Sequence, residues 1–269
     1  MWKNSFLGRI LIGAVLVLTV SAITLFGRQE LMALLVAGWS VLATGEFLSL
    51  LRKADIVLNR WLLAVLNVLI VSAALWNWLP RFLIGPIGVV LLAAVVTRDT
   101  KPRTPVYGVF TIVYLGFLPA HLLMLKVFSL QHHLSSWLVF FPLVLTWVND
   151  TVAYFTGKLL GSHRLAPVIS PNKTVEGFVA GLGAAAIVTA LGLRRLEPFA
   201  TRPVWWLAVI GLGLGALAQV GDLFESIFKR AVGIKDTSNA LGEHGGFLDR
   251  IDSLLFTIPA FYYLLIALR

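Results

Sequence analysis

Cysteine is absent from the 269-residue sequence, and charged side chains are scarce. Without cysteine, the chain can form neither a disulfide nor a zinc site with thiolate ligands. Asp, Glu, Lys and Arg together make up 13% of the residues, whereas about 25% is usual in a soluble globular domain. Hydrophobic residues make up 58%, and the mean hydropathy is +0.88. This composition excludes an ordinary soluble domain and predicts an integral membrane protein.

Acidic residues are the scarcer of the two signs of charge. The 13 Asp and Glu stand against 22 Lys and Arg, which gives a formal net charge of +9. In so apolar a chain, this excess is typical of cytoplasmic loops that face anionic lipid headgroups. We therefore expect the lipid bilayer, and no nucleic acid, as the partner of the basic residues. The five histidines are scattered and lack the spacing of a zinc site.

Apolar runs recur along the chain and predict an all-α, polytopic integral membrane protein of about nine transmembrane helices. The candidate spans lie at roughly 6–26, 30–51, 61–79, 82–97, 106–128, 136–155, 176–193, 203–228 and 251–268. The first run could also be a signal peptide, because Lys3 precedes it and Val20-Ser21-Ala22 resembles a cleavage site. Its length favours an uncleaved first helix.

The sequence shows no internal repeat and no soluble linker. We therefore predict a single membrane domain, 1–269, with N-terminal helices in 1–140 and catalytic helices and cytoplasmic loops in 141–269. With the N-terminus inside, fifteen Lys and Arg face the cytoplasm and seven, Lys126 among them, face outward. This bias predicts an N-in, C-out topology, in which the loops after the sixth and eighth spans both open on the cytoplasmic side.

The stretch from Gly221 to Ser253 departs from the apolar character of the chain. It holds six of the thirteen acidic residues, interleaved with cations and glycines. If its first part continues a helix, the i, i+3, i+4 and i+7 spacing places on one face Asp222, Glu225, Ser226 and Lys229. By the same spacing, Asp249 shares a helical face with Asp252 and Ser253. Oxygen ligands of this kind suit Mg²⁺, with Lys and Arg left to hold phosphate charge.

A second polar segment follows the sixth apolar run. Asp150 lies at the end of that run, and Ser170-Pro171-Asn172-Lys173-Thr174 precedes the next span. Serine is favoured as an N-cap and proline at the first helical position, so we predict that a helix begins at Ser170. The free amides of a helix N-terminus, together with Lys173, would form an anion site.

These residues resemble the signature of the phosphatidate cytidylyltransferases, also called CDP-diacylglycerol synthases. The matching positions are Ser226, Lys229-Arg230, Lys235-Asp236, His244-Gly245-Gly246 and Asp249-Arg250-Ile251-Asp252. Asp150 and the turn from Ser170 to Thr174 also resemble the family, so the resemblance covers the C-terminal part of the chain, while the first 140 residues show only spans.

The resemblance implies an enzyme of phospholipid biosynthesis, a nucleotidyltransferase that converts CTP and phosphatidic acid into CDP-diacylglycerol and pyrophosphate. It also implies Mg²⁺ as the cofactor, leaves a second cation open, and implies a homodimer. The membrane is then the inner, cytoplasmic membrane of the cell, with the active site facing the cytoplasm.

The family pattern assigns roles to individual residues of this chain. The predicted catalytic residues are Asp222, Lys229, Arg230, Asp249 and Arg250. The predicted substrate-binding residues are Asp150, Ser170, Lys173, Thr174, Lys235, Asp236, His244, Gly245 and Gly246. Asp222 and Asp249 are the predicted metal ligands, and Lys229 or the metal would offset the charge of Asp222. His244 is expected to bind phosphate or order its loop, because a phosphate monoester is largely ionised at neutral pH and needs no general base.

Two other functions fit parts of the same pattern. A CTP-dependent lipid kinase would use similar cations and carboxylates but would transfer the γ-phosphate. An ion-coupled transporter would explain acidic residues in spans, although the inverted repeats expected of one are not evident. Glu46, inside the second span, has no motif around it. It is either a functional residue that faces a cavity or a partner, as ionisable groups in spans tend to do, or a residue without a functional role.

Overall fold

A computed structural model describes residues 6–76, 79–97, 101–238, 240 and 245–269, without the side chains of residues 6–12 and 80. Lipid offers no hydrogen-bond partners to the backbone, so apolar runs satisfy their amides internally as helices. The helices are α1 (Phe6–Phe26), α2 (Gln29–Lys53), α3 (Arg60–Ala73), α4 (Leu79–Phe82), α5 (Ile84–Val96), α6 (Arg103–Ile112), α7 (Leu118–Gln131), α8 (Ser136–Leu160), α9 (Val175–Leu193), α10 (Val204–Ala231), α11 (Leu248–Ile251) and α12 (Leu254–Ala267). Strands β1 (Arg164–Ala166) and β2 (Ser170–Thr174) form an antiparallel hairpin.

The prediction of an all-α polytopic membrane protein is confirmed. Six helices of the described chain are long and apolar enough to cross a membrane, with α6 and α7 joined into one and α11 and α12 into another. Three shorter apolar helices, Gly13–Phe26, Arg60–Trp76 and Ile84–Val96, coincide with the first, third and fourth predicted spans. The count of nine spans stays a prediction.

The chain forms two compact units. Unit 1 comprises residues 1–128 and 231–251, and unit 2 comprises residues 129–230 and 252–269. Residues 231–251 therefore pack with the N-terminal helices, although they follow the sequence boundary that we placed at 140. The prediction of a single membrane domain remains a prediction.

Helix α2 forms the centre of unit 1. Its buried side chains include Met32, Val36 and Phe47, and it packs along α3. Between α6 and α7 the residues Val113–Phe117 form a π-helical turn, and the Ser40 hydroxyl of α2 donates to the carbonyl of Leu115 within it. A π-bulge of this kind exposes carbonyl groups that a neighbouring hydroxyl can satisfy.

Lys126, counted above among the loop residues that face outward, is instead buried within α7. Its ammonium group donates to the carbonyl of Thr24, near the C-terminus of α1, at 3.0 Å. A cation at this end of a helix interacts favourably with the helix dipole. Lys126 therefore has a packing role in unit 1 and does not report on topology.

Unit 2 is built on the close antiparallel packing of α8 against α9, with α12 against α8. Small residues permit this approach, as is common between membrane helices. A methyl group at Gly181 of α9 would lie 3.0 Å from the backbone oxygen of Asn149 and 2.7 Å from the Gln219 amide nitrogen. Farther along, the rings of Phe141, Phe199 and Phe261 stack into an apolar core.

Two predicted helix boundaries are wrong. Ser170 does not begin a helix: it lies in β2, and Thr174 caps α9 by accepting a hydrogen bond from the Gly177 amide at 3.1 Å. Hairpin pairing of residues 164–166 with residues 170–174 overrides the local Ser-Pro signal. The helix predicted to carry Asp249 with Asp252 and Ser253 is interrupted, because α11 ends at Ile251 and α12 begins at Leu254.

Candidate functional site

Lys173 and Asp222 form the central ion pair of unit 2. The Lys173 ammonium lies 2.9 Å from Asp222 Oδ2 and 3.5 Å from the backbone oxygen of Gln219. The β-hairpin carries Lys173 to this position, and α10 supplies both of its partners. Lys229 or a metal was predicted to offset the charge of Asp222. In the structure Lys229 pairs with Glu225, one helical turn away, at 3.4 Å.

Asp150 is held beside this pair by two amide side chains. Asn149 donates from Nδ2 to Asp150 Oδ1 at 2.9 Å. Gln219 in turn donates from Nε2 to Asn149 Oδ1 at 3.4 Å and to the carbonyl of Phe178 at 3.3 Å. Hydrogen bonds thus link Gln219 to Asn149 and Asn149 to Asp150, and they fix the Asp150 carboxylate inside the helical bundle.

Sequence analysis missed Asn149 and Gln219. Both are buried, at 0% and 3% exposure, within helices that are otherwise apolar. A neutral amide side chain inside a spanning helix could have indicated both residues from the sequence, since it needs a hydrogen-bond partner that lipid cannot supply. Here those partners belong to the site.

Asp252 completes the carboxylate cluster, which we define as Asp150, Asp222 and Asp252 together with Lys173. The three carboxylates lie close enough to repel one another, and Lys173 attracts Asp150 as well as Asp222. The side chain of Glu225 also lies within hydrogen-bonding reach of Asp252. The sequence analysis expected Asp150 and Asp222 here, but it named neither Asp252 nor Glu225 as a site residue.

The remaining predicted residues of unit 2 lie on α10, on strand β2 and at the N-cap of α9. Ser226, on the predicted face of α10, donates to Asp222 Oδ1 at 3.5 Å. Arg230 is exposed, and its Nε donates to the carbonyl of Ile169 at 2.9 Å, which ties the end of α10 to the hairpin. Ser170 is half-buried in β2, and Thr174 is buried as the N-cap of α9.

In unit 1 the signature loop, residues 232–247, leads into α11. Lys235 and Asp236 are exposed on it, and Arg250 is exposed on α11. His244 lies outside the residues that the structure describes. Gly245 has a φ of +77°, a left-handed conformation that glycine adopts without steric cost.

Asp249 organises this loop. Its Oδ2 accepts hydrogen bonds from the Gly246 amide at 2.7 Å, the Thr237 amide at 3.0 Å and the Thr237 hydroxyl at 2.8 Å. A carboxylate used in this way joins the beginning of the loop to its end. The structure thus brings together Asp249, Gly245 and Gly246, three residues that the sequence analysis assigned to the site.

Glu46 of α2 is the second carboxylate that contacts the loop. It is 8% exposed and accepts hydrogen bonds from the Thr237 and Ser238 hydroxyls and from the amides of Phe247 and Leu248. Glu46 therefore faces a partner, and that partner is the signature loop.

A ready-made metal centre is not present in the described part of the chain. No three acidic or histidine side chains among those residues converge closely enough to hold an ion. The metal roles of Asp222 and Asp249 therefore stay predictions.

Comparison with known proteins agrees with the resemblance. The model of the cytidylyltransferase family matches residues 7–268. Phosphatidate cytidylyltransferases of Staphylococcus saprophyticus subsp. saprophyticus and Staphylococcus aureus are 45% identical to this chain over 128 residues, and that of Staphylococcus haemolyticus is 43% identical over 128 residues. Each of these alignments covers 48% of this chain and 48% of the relative, so about half the length of each relative is matched. Since the family model spans nearly the whole sequence, the chain belongs to the cytidylyltransferase family.

Proposed function

We propose that the protein transfers the cytidylyl group of CTP to phosphatidic acid, forming CDP-diacylglycerol and pyrophosphate. The observation that carries this proposal is the carboxylate cluster with Lys173, set among the spanning helices of unit 2 in a chain of the cytidylyltransferase family. Relatives named phosphatidate cytidylyltransferase support the choice of lipid acceptor.

The reaction exchanges one phosphoanhydride bond for another. An oxygen of the lipid phosphate attacks the α-phosphorus of CTP, and the bond from that phosphorus to the oxygen bridging it to the β-phosphate breaks. Pyrophosphate leaves with the bonding electron pair. The attacking phosphate monoester is largely ionised at neutral pH, so no side chain has to remove a proton. Catalysis then depends on positioning and on neutralising spread negative charge.

Several residues of unit 2 suit these tasks. Lys173, fixed by Asp222 and by the carbonyl of Gln219, offers a positioned cation for phosphate oxygens. Lys229 and Arg230 add positive charge in the last turn of α10. Ser170 and Thr174, on the hairpin strand that carries Lys173, are the proposed hydroxyl donors. In unit 1, the phosphate-binding roles of Lys235, Asp236, His244, Gly245, Gly246 and Arg250 remain predictions from the family pattern.

We also propose Mg²⁺ as the cofactor, and leave a second cation open. Carboxylate oxygens are the ligands that Mg²⁺ prefers. Asp150, Asp222 and Asp252 repel one another. A hard cation would offset this repulsion, with Asp222 as the proposed main ligand. When bound, Mg²⁺ neutralises triphosphate charge. For Asp249, which already accepts three hydrogen bonds through Oδ2, the metal role is predicted from the family pattern alone.

The proposed reaction is tested with purified protein in detergent micelles, given phosphatidic acid, Mg²⁺ and CTP labelled at the α-phosphorus. We expect label in the extracted lipid, and we expect EDTA to abolish it. Parallel samples with γ-labelled CTP distinguish the lipid kinase, which would label the lipid only from that position. Extractable lipid without label from either form of CTP would contradict the proposed function.

We further propose that the protein lies in the inner, cytoplasmic membrane, N-in and C-out, with the site on the cytoplasmic side, and that it forms a homodimer. The distribution of Lys and Arg supports the orientation. The family resemblance is the support for the dimer, which chemical cross-linking in membranes would test by the presence or absence of a band of twice the mass.

Because the chain has no cysteine, single introduced cysteines can report its topology. Lys53 and Arg195 are both exposed, and the predicted topology places them on opposite sides of the membrane. A membrane-impermeant maleimide added to intact cells should label the variant Arg195→Cys. It should label Lys53→Cys only after the membrane is permeabilised. The reverse pattern would show that the orientation is wrong.

A further inference from the structure

Glu46 links the two ends of the signature loop. Its Oε1 accepts from the Ser238 hydroxyl at 2.6 Å and from the Phe247 amide at 3.0 Å. Its Oε2 accepts from the Thr237 hydroxyl at 3.2 Å and from the Leu248 amide at 2.8 Å. Each carboxylate oxygen thus holds one residue from the beginning of the loop and one from its end.

All four partners are hydrogen-bond donors, which match the acceptor oxygens of the carboxylate. The two hydroxyls can rotate to another acceptor, but the backbone amides of Phe247 and Leu248 cannot. Burial of Glu46 at 8% exposure makes water a poor substitute for either side. The two described ends of the loop are therefore held by this side chain of α2 as well as by Asp249.

Asp249 and Glu46 act on the same residues. The Thr237 hydroxyl lies 2.8 Å from Asp249 Oδ2 and 3.2 Å from Glu46 Oε2, so the two carboxylates compete for its single proton. Gly246 fits between them because a side chain there would collide with the Thr237 hydroxyl and with Glu46 Oε2. Glu46 consequently fixes the surroundings of Asp249 as well as the ends of the loop.

We propose that Glu46 is a positioning residue for the transfer reaction, an inference that rests on the proposed function. In this role it acts through the signature loop and not on the substrate itself. It sets the geometry in which the signature loop presents Lys235 and Asp236, and in which Asp249 is held. Its place in the N-terminal half, far from the family signature in sequence, gives the spanning helices of that half a part in catalysis.

The substitution Glu46→Gln tests this role with almost no change of shape. Whichever way the new amide turns, its NH₂ group faces the amide N–H of either Phe247 or Leu248, donor against donor. We expect kcat/KM for CTP to fall by about 10- to 100-fold, mainly through a higher KM, as for the loss of a buried charge-assisted hydrogen bond. Hydrogen exchange at the peptide containing Phe247 and Leu248 should become faster.

The matched control is Glu30→Gln, the same chemical change in the first turn of the same helix. Glu30 is exposed and pairs with Arg28 at 3.2 Å, so its substitution should change neither activity nor exchange near Phe247. Activities are compared per mole of folded protein, because a merely structural role would lower the folded amount and leave the activity of folded molecules unchanged.

A second pair of variants avoids a buried charge change. Thr237→Val removes the hydroxyl at nearly constant shape, and Thr237→Ser restores it. We expect the valine variant to lose activity by about 5- to 20-fold, on the scale of one lost hydrogen bond, and the serine variant to keep it. Glu46→Gln and Thr237→Val with wild-type kcat/KM would overturn the positioning role. A wild-type protein that transfers no label would instead contradict the proposed function, and the exchange measurement would still report whether Glu46 holds the loop.

Discussion

The variant Asp222→Asn should lose at least about 100-fold in cytidylyl transfer while remaining folded. Asp222 contributes the carboxylate that pairs with Lys173 at 2.9 Å and is the proposed main ligand of Mg²⁺. The asparagine keeps the shape but removes the negative charge that both interactions require. Loss of a positioned electrostatic group commonly lowers turnover by about 100- to 1000-fold.

The substitution Asp222→Asn should not lower the stability of the fold. Asp222 lies near Asp150 and Asp252, and removing one of three like charges relieves their repulsion. The Asp222 side chain is 33% exposed, so its ion pair with Lys173 contributes little to folding, about 0–1 kcal/mol. We therefore expect the thermal midpoint, followed by tryptophan fluorescence in detergent, to stay unchanged or to rise. A residue whose removal abolishes function and does not harm the fold is retained for chemistry.

Asp55→Asn is the control for this change. Asp55 is exposed in the turn after α2 and has a φ of +59°, a conformation that asparagine tolerates well. Its activity and midpoint should both equal those of the wild type. Substantial turnover by Asp222→Asn, or an unfolded Asp222→Asn protein, would remove Asp222 from its proposed role.

The sequence predicted the spanning helices well because lipid leaves the chain little choice. An apolar run must satisfy its own backbone, so its length and position indicate a helix directly. Prediction from the sequence failed where contacts between distant parts of the chain decide the local structure. Ser170 and Pro171 carry a good local helix-start signal, but pairing with β1 places them in a strand and moves the cap to Thr174.

The candidate site shows the same limit. The helical spacing of Asp222, Ser226 and Lys229 could be predicted because it depends only on the period of the helix. The partner of Asp222 could not, since Lys173 reaches it from a hairpin that packs against α8 and α9. A polar side chain within an apolar span could have been recognised in the sequence at Asn149, Gln219 and Glu46. The sequence does not indicate which residue each of them contacts. Only the fold shows that each of them contacts a site residue.

Lys173→Gln should reduce both activity and stability, in contrast to Asp222→Asn. The ammonium of Lys173 attracts Asp222 and Asp150, and the substitution leaves those two carboxylates without that cation. We expect transfer to fall by about 100-fold or more, as for other positioned phosphate-binding cations. The free energy of unfolding should fall by about 1–2 kcal/mol, less than for a fully buried pair because Lys173 is 22% exposed.

Lys158→Gln serves as the control, because Lys158 is an exposed lysine near the end of α8 whose ammonium lies over the Tyr154 ring. It should leave both measurements close to those of the wild type.

The double variant Lys173→Gln with Asp222→Asn separates the two effects of the lysine. In the double variant position 222 is neutral, so the loss of Lys173 leaves one carboxylate fewer without a neighbouring cation than in Lys173→Gln. The double variant should therefore be more stable than Lys173→Gln alone. Its activity should be no higher than that of either single variant, because both groups would serve the same transfer step. If the changes of stability in the two single variants simply add in the double variant, the ion pair seen at 2.9 Å contributes nothing to the fold. If the double variant regains activity, Lys173 acts only by neutralising Asp222 and does not bind phosphate.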